Sequence, residues 1–196
     1  SESEVRAAAQ ALLGRRIFGV DLDSVQERVA AMPYVMEVRV ARAFPSTIQI
    51  AVVEKQPFAL LNDRGMLPVD VEGAVMPRLK AGAKLDLPVI SGIQIAKRTT
   101  NAKLPERARP VLDFMREMNE ANALLYQQIS EFHVDAKMNL TLFLMREGTP
   151  VYLGKEDWLE KCGRLQSVLR QLEMRAERVA AIDLRFENQV VTKPAA

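Results

Sequence analysis

The 196-residue chain has a single cysteine, Cys162, and a single histidine, His133. One cysteine excludes an internal disulfide and a cysteine-based zinc cluster. With one histidine beside it, the common constellations of nucleophile, base and metal cannot be assembled. A glycine-rich phosphate cradle is missing as well, because Gly14 and Gly19 lack the spacing of a dinucleotide fingerprint or a P-loop. No apolar run approaches the roughly 20 residues that cross a bilayer. The opening SESEV has neither the basic flank nor the apolar stretch of a signal peptide. An excess of one charge is also lacking: 27 Lys and Arg stand against 25 Asp and Glu. No global field therefore draws the chain to nucleic acid. What remains, 48% hydrophobic and 27% charged residues, is the composition of a folded protein with room for one ordinary domain or two small ones.

Several chemically suggestive residues have plainer explanations. Cys162 falls on the apolar stripe of a helical segment, where a small buried hydrophobe is expected. His133 lies between Phe132 and Val134 in a β-type run, which suits a structural or surface role. The carboxylate pairs Asp21/Asp23 and Glu156/Asp157 stand at helix starts, where capping and the helix dipole account for them. Of the nine methionines, Met115 and Met118 fit a helix core better than an adaptable groove. The sequence asks for no cofactor, no metal and no catalytic residue.

Along the chain, Ser1 with Glu4 reads as a capping box that opens a helix over residues 3–13. The chain therefore reads as beginning at an element boundary, with any membrane anchor upstream of residue 1. Asp21 or Asp23 caps a second helix near 24–32, which Pro33 ends. Alternation follows: Met36, Val38, Val40 and Phe44 share one face, and after the Pro45-Ser46 turn so do Ile48, Ile50 and Val52. This is helix, helix, β-hairpin.

Beyond Glu54-Lys55-Gln56-Pro57 the pattern changes to short strands at 58–61, 66–69, 74–76 and 88–90. A polar connection at 94–104 leads to a helix near 105–121 with the stripe Ala108, Val111, Leu112, Met115 and Met118. Strands at 129–135, 138–145 and 150–153 precede a helix at 155–174, whose stripe is Trp158, Leu159, Cys162, Leu165, Val168, Leu169 and Leu172. Strands near 178–186 and 188–192 close the chain. The fold class is α+β, with one domain over 1–56 and a mixed-sheet domain over 57–196.

Three stretches, marked by Arg42 to Pro45, by Val69-Asp70-Val71-Glu72-Gly73 and by Ile182-Asp183-Leu184-Arg185-Phe186, resemble the FtsQ/DivIB family of bacterial cell-division proteins. The first carries Ile17-Phe18, Met32-Pro33-Tyr34-Val35, Arg42 to Pro45 with Ile48, and Glu54 with Pro57. It resembles that family's POTRA domain, here without the strand with which a POTRA domain normally opens. The second is Val69-Asp70-Val71-Glu72-Gly73 followed by Leu87-Pro88-Val89-Ile90-Ser91-Gly92. The third runs from Val151-Tyr152-Leu153-Gly154 through Glu160-Lys161 and Leu165 to Ile182-Asp183-Leu184-Arg185-Phe186, and resembles the family's C-terminal β domain in order and spacing.

The resemblance implies a non-catalytic divisome adaptor, held in the inner membrane by one segment not present here. This region would lie in the periplasm, or outside the cell in a Gram-positive. It implies that the β domain binds FtsB and FtsL by strand addition at a terminal edge formed by Arg185, Phe186, Glu187, Asn188, Gln189, Val190 and Val191. Arg185 matches a family arginine that pairs with a partner carboxylate, and Phe186 an interface aromatic. The plainer roles are a solvated strand residue for Arg185 and a core position for Phe186, which shares the parity of Ile182 and Leu184. Arg39 and Arg42, flanking the hairpin turn, would meet another division protein such as FtsK, or simply form a solvated face. The competing function is a POTRA module of secretion or outer-membrane assembly, and a hydrolase ranks far behind it.

Overall fold

The computed structural model describes residues 2–78, 85–96, 102–187 and 189–195. The expected capping residue Ser1 lies outside them. By internal contacts the chain divides into two compact units, Ser1–Gln56 and Pro57–Ala196.

In the first unit, helix α1 (Glu2–Ala9) continues into a 3-10 turn at Gln10–Leu12, and a second such turn occupies Ile17–Gly19. Helix α2 (Leu22–Ala30) starts at Asp21, whose carboxylate accepts from the backbone N–H groups of Asp23 and Ser24. Those are two of the donors that a helix start leaves without partners. Strands β1 (Val35–Ala43) and β2 (Thr47–Glu54) form an antiparallel hairpin. Val29, Val35 and Val38 are the buried centre, with Val40, Ile50 and Val52 packed around them.

The expected inner face of β1 is only partly right. Val38 is buried, but Met36 is 64% exposed and Phe44 71% exposed. The pairing register slips between Val35 and Glu37. One extra residue in a strand inverts the facing of what lies beyond it. Val35 takes the inward place that strict alternation from Val38 would give Met36. Phe44, at the hairpin's far end, instead lies against Phe18 with ring centroids 5.7 Å apart.

Among the described residues, the second unit forms an eight-stranded mixed sheet in the order β10-β9-β8-β7-β6-β5-β3-β4. Its strands are β3 (Ala59–Asn62), β4 (Met66–Val69), β5 (Val89–Ser91), β6 (Ile129–Val134), β7 (Leu140–Leu144), β8 (Pro150–Gly154), β9 (Val179–Asp183) and β10 (Val191–Pro194). Three neighbouring pairs are parallel: β3 with β5, β5 with β6, and β8 with β9. Parallel neighbours need a long crossover, usually helical. Helices α3 (Arg109–Ala121) and α4 (Ala123–Tyr126) supply it between β5 and β6, and α5 (Trp158–Arg175) between β8 and β9.

The core is continuous. The five stripe residues of the 105–121 segment are all buried, together with Phe114, against Phe132, Leu140, Leu142, Val151, Leu153 and Ile182. Phe114 links the layers, edge-on to Phe132 at 6.2 Å and to Trp158 at 5.4 Å. Of the α5 stripe, Cys162 and Leu165 are buried, while Leu159 is 44% exposed at the rim of the helix–sheet contact. The segment 74–76 contributes only isolated bridges, Val69 to Val75 and Ala74 to Lys103. No helix among the described residues is long and apolar enough to cross a membrane.

Two motif residues have direct structural reasons. Asp70, buried at 5% exposure, accepts from the backbone N–H groups of Glu72 and Ala74 at 3.0 and 2.8 Å. That closes the turn that Gly73 completes at φ +78°. At Gly92 (φ +79°) an added Cβ would stand 1.9 Å from the carbonyl oxygen of Val134. Only glycine fits where β5 runs so close to β6.

We propose that the two units unfold separately. Phe132→Ala, which empties a fully buried aromatic site, should destabilise residues 57–196 by about 3–5 kcal/mol. Hydrogen exchange at Val25 and Val29 should stay at its wild-type level. Equal acceleration in both units would mean one cooperative body.

Candidate functional site

The end of the sheet at β9 and β10 brings together the third family-like stretch. Tyr152 of β8 stands opposite Asp183 of β9 in the parallel register. The Asp183 carboxylate accepts from the Arg185 backbone N–H at 3.0 Å and from its Nε at 2.9 Å. A second guanidinium nitrogen, Nη2, closes a bidentate pair. The guanidinium carbon lies 5.3 Å from the centroid of the Tyr152 ring, a cation–π distance. Beneath the stem of Arg185 is Gly154, whose missing Cβ would lie 3.4 Å from the Arg185 Cγ. Tyr152 and Gly154 therefore form a seat for Arg185. The side chain of Arg185 keeps 56% exposure against 17% for Asp183, so the outer part of the fork remains open to solvent.

This geometry corrects the expected terminal strand. Strand β9 stops at Asp183 and β10 begins at Val191, so residues 186–191 are not one strand. The side chain of Asp183 bonds to the backbone two residues on, which offers the chain a turn in place of the ladder. Next, Arg164 of α5 donates through Nη1 to the carbonyls of Phe186 and Glu187, at 3.0 and 2.6 Å. Arg185, Phe186 and Glu187 thus belong to a connection, in which Phe186 is 46% exposed and outside the core. Gln189 and Val190 continue it, Val190 half-buried against the main core, and only Val191 lies in β10. Asn188 lies outside the described residues.

Among the described residues, strand β10 is an edge of the sheet. It pairs antiparallel with β9, and all four of its side chains are exposed. The Ala195 N–H donates to the Arg178 carbonyl at 3.3 Å, so position 195 faces β9. The register irregularity places two residues of β9, Ala180 and Ala181, opposite one of β10. Alternation along β10 is therefore kept, and Val191 and Lys193 also face β9 while Thr192 and Pro194 face outward. Pro194, having no N–H, stands where the sheet needs no donor. The opposite end of the sheet differs, because β4 carries the Val69–Val75 bridge and so has its outer edge partly covered.

The two candidate arginines of the first unit, Arg39 and Arg42, are engaged locally. Arg39 pairs with Glu37 at 2.8 Å. Arg42 donates to the carbonyls of Ile17 and Val20 at 3.1 and 2.7 Å, tying the loop before α2 to the hairpin.

Two polar arrangements escaped the sequence reading. Lys161, 8% exposed, donates through Nζ to the carbonyls of Leu153 and Glu156 at 2.8 and 2.7 Å, anchoring α5 to β8. Asp157, expected to cap α5, makes no side-chain cap hydrogen bond there. The Ser91 hydroxyl lies 2.5 Å from a Glu131 carboxylate oxygen and 2.7 Å from His133 Nδ1, bridging β5 and β6. Neither had a periodic signal, since each depends on which strands become neighbours. Burial pushes the Cys162 thiol up to about 12, far from a thiolate at neutral pH. Among the described residues no group of three or more His, Cys, Asp or Glu could hold a metal.

The Arg185 hydrogen bond, partly opposed by burial, holds the Asp183 carboxyl below its ordinary 3.8. A depressed folded-state pKa contributes stability above the unfolded value, and this is lost as pH falls through the folded one. Arg185→Gln should therefore raise the NMR titration midpoint of Asp183 towards 3.8 and flatten the acid limb of stability. An unmoved midpoint would assign the depression to another group.

The family model described as "Cell division protein FtsQ/DivIB, C-terminal" matches residues 59–185. The one described as "POTRA domain, FtsQ-type" matches residues 1–55. The Cell division protein FtsQ of Geotalea daltonii is 31% identical over 183 residues, covering 92% of this chain and 66% of the relative. Its counterpart from Syntrophotalea carbinolica is 29% identical over 191 residues, covering 97% of this chain and 68% of the relative. That of Anaeromyxobacter sp. (strain K) is 32% identical over 187 residues, covering 91% and 63%. The chain thus spans about two thirds of the length of these relatives. With both family models in sequence order and the β8–β9 geometry explaining the motif residues, this chain belongs to the FtsQ/DivIB family of cell-division proteins.

Proposed function

We propose that this chain is a non-catalytic adaptor of the division machinery that binds FtsB and FtsL by strand addition at β10 and links early to late division proteins. The full-length protein would be anchored in the inner membrane with this region on its outer side. The observation that carries the reading is the open edge. Strand β10 ends an eight-stranded sheet with all its side chains exposed. On its outward side the Thr192 N–H and C=O and the Pro194 C=O can take an incoming strand. Arg185 stands two residues past β9 with its fork partly open, suited to a carboxylate on the same partner. Phe186 offers an exposed apolar surface beside it. Arg42 is bonded to backbone carbonyls of its own unit, which argues for a structural role, whereas Arg39, paired with Glu37 and with its side chain 81% exposed, is the POTRA-side candidate for a further division protein.

A proline scan of β10 tests the edge directly. Thr192→Pro should leave the domain folded and abolish binding of the purified extracytoplasmic part of FtsB, because only an outward donor is lost. Lys193→Pro should disrupt the β9–β10 ladder itself. Arg185→Glu should weaken binding about tenfold or more; because it also unpairs Asp183, Tm at neutral pH should fall modestly, and the loss of binding should appear well below Tm, where the domain is still folded. Wild-type affinity in a folded Thr192→Pro variant would rule out strand addition at this edge.

A further inference from the structure

We infer that Arg164 is a positioning residue for the partner-binding edge, holding the segment that enters β10 without itself touching the partner. This rests on the strand-addition reading above. The reason lies in how little fixes β10 beyond its backbone ladder to β9. Its four side chains are exposed, so burial does not hold them. The apolar anchor of the incoming segment, Val190, is only half-buried. Beneath it a cavity of about 360 Å³ opens between α5 and β10, lined by Val168, Leu172, Val190 and Thr192 among others. Side-chain packing therefore leaves β10 loosely seated over α5.

Arg164 supplies the missing constraint from the helix. One guanidinium nitrogen bridges two successive carbonyls, those of Phe186 and Glu187. A charged donor shared by two carbonyls fixes the direction of the chain as well as its distance. The Nε of the same side chain is buried with no acceptor among the described residues, an unfavourable state for a donor. The clamp on the connection is what the side chain gains for it. At the other end of that connection Arg185 is fastened to Asp183, so residues 185–187 are pinned from both β9 and α5.

The test replaces Arg164 with Met, which keeps much of the stem and removes the donors, and with Lys, which keeps one charged donor group. Hydrogen exchange is read at Val191 and Lys193, whose N–H groups face β9, and at Leu142 and Ile182 in the core. Binding is measured with the extracytoplasmic part of FtsB. Arg164→Met should speed exchange at Val191 and Lys193 about tenfold, leave the core amides unchanged and weaken binding by a similar factor, as expected for losing a charge-assisted bond. Arg164→Lys should restore most of both. Unchanged edge amides would overturn the inference, as would equal acceleration in the core, which would make Arg164 a general structural residue. A loosened edge with normal binding also overturns it. In that case Thr192→Pro separates the causes: if it abolishes binding, only the role of Arg164 fails, and if it binds normally, the strand-addition reading fails with it.

Discussion

The architecture around the candidate site depends on the parallel pairing of β9 with β8. Once β9 runs the same way as its neighbour, the chain must return along the sheet before it can pair, and α5 is that return path. The helix then lies beside the site and is tied to β8 by the buried Lys161. From it Arg164 reaches the connection after β9. The same register sets Asp183 beside Tyr152, which gives Arg185 both a carboxylate and an aromatic face. Moved by one position, the pairing would exchange the buried and exposed faces of β9 and separate these groups.

What could be read from the sequence was what depends on local periodicity. The α3 stripe is buried as its spacing requires, because a long amphipathic pattern has one stable orientation against a sheet. The division-family motifs were also legible, since Asp70, Gly92 and Gly154 answer local backbone demands. The final strands were not. Ile182, Leu184 and Phe186 keep perfect alternation, and Ile182 and Leu184 are indeed buried. The pattern breaks because the Asp183 carboxylate captures the Arg185 N–H and Arg164 captures two carbonyls, and alternation carries no trace of either bond. Met36 failed for a similar reason, since a bulge is a property of the pair of strands and not of one.

The placement of Arg185 bears on how it could serve recognition. A surface arginine free to rotate would lose much of its rotamer entropy on binding. Here the fork is already held by Asp183 and laid over Tyr152, so that loss is incurred within the fold. A partner carboxylate would then meet a pre-aimed donor set, though one whose charge is partly neutralised. Such a contact favours selectivity and register over raw affinity.

An open edge also invites unwanted pairing, and β10 carries the usual protections: a short strand, a lysine and a proline. Pro194 does more than blunt the edge. It faces outward, so it removes a donor from the side that an incoming strand would use and leaves only its carbonyl there. Thr192 presents both groups. A strand that requires a donor opposite Pro194 has an unmet acceptor, whereas one shifted to pair through Thr192 does not. If a partner strand adds here, the proline would discriminate among registers as well as against indiscriminate partners, which is the negative half of specificity at a backbone edge.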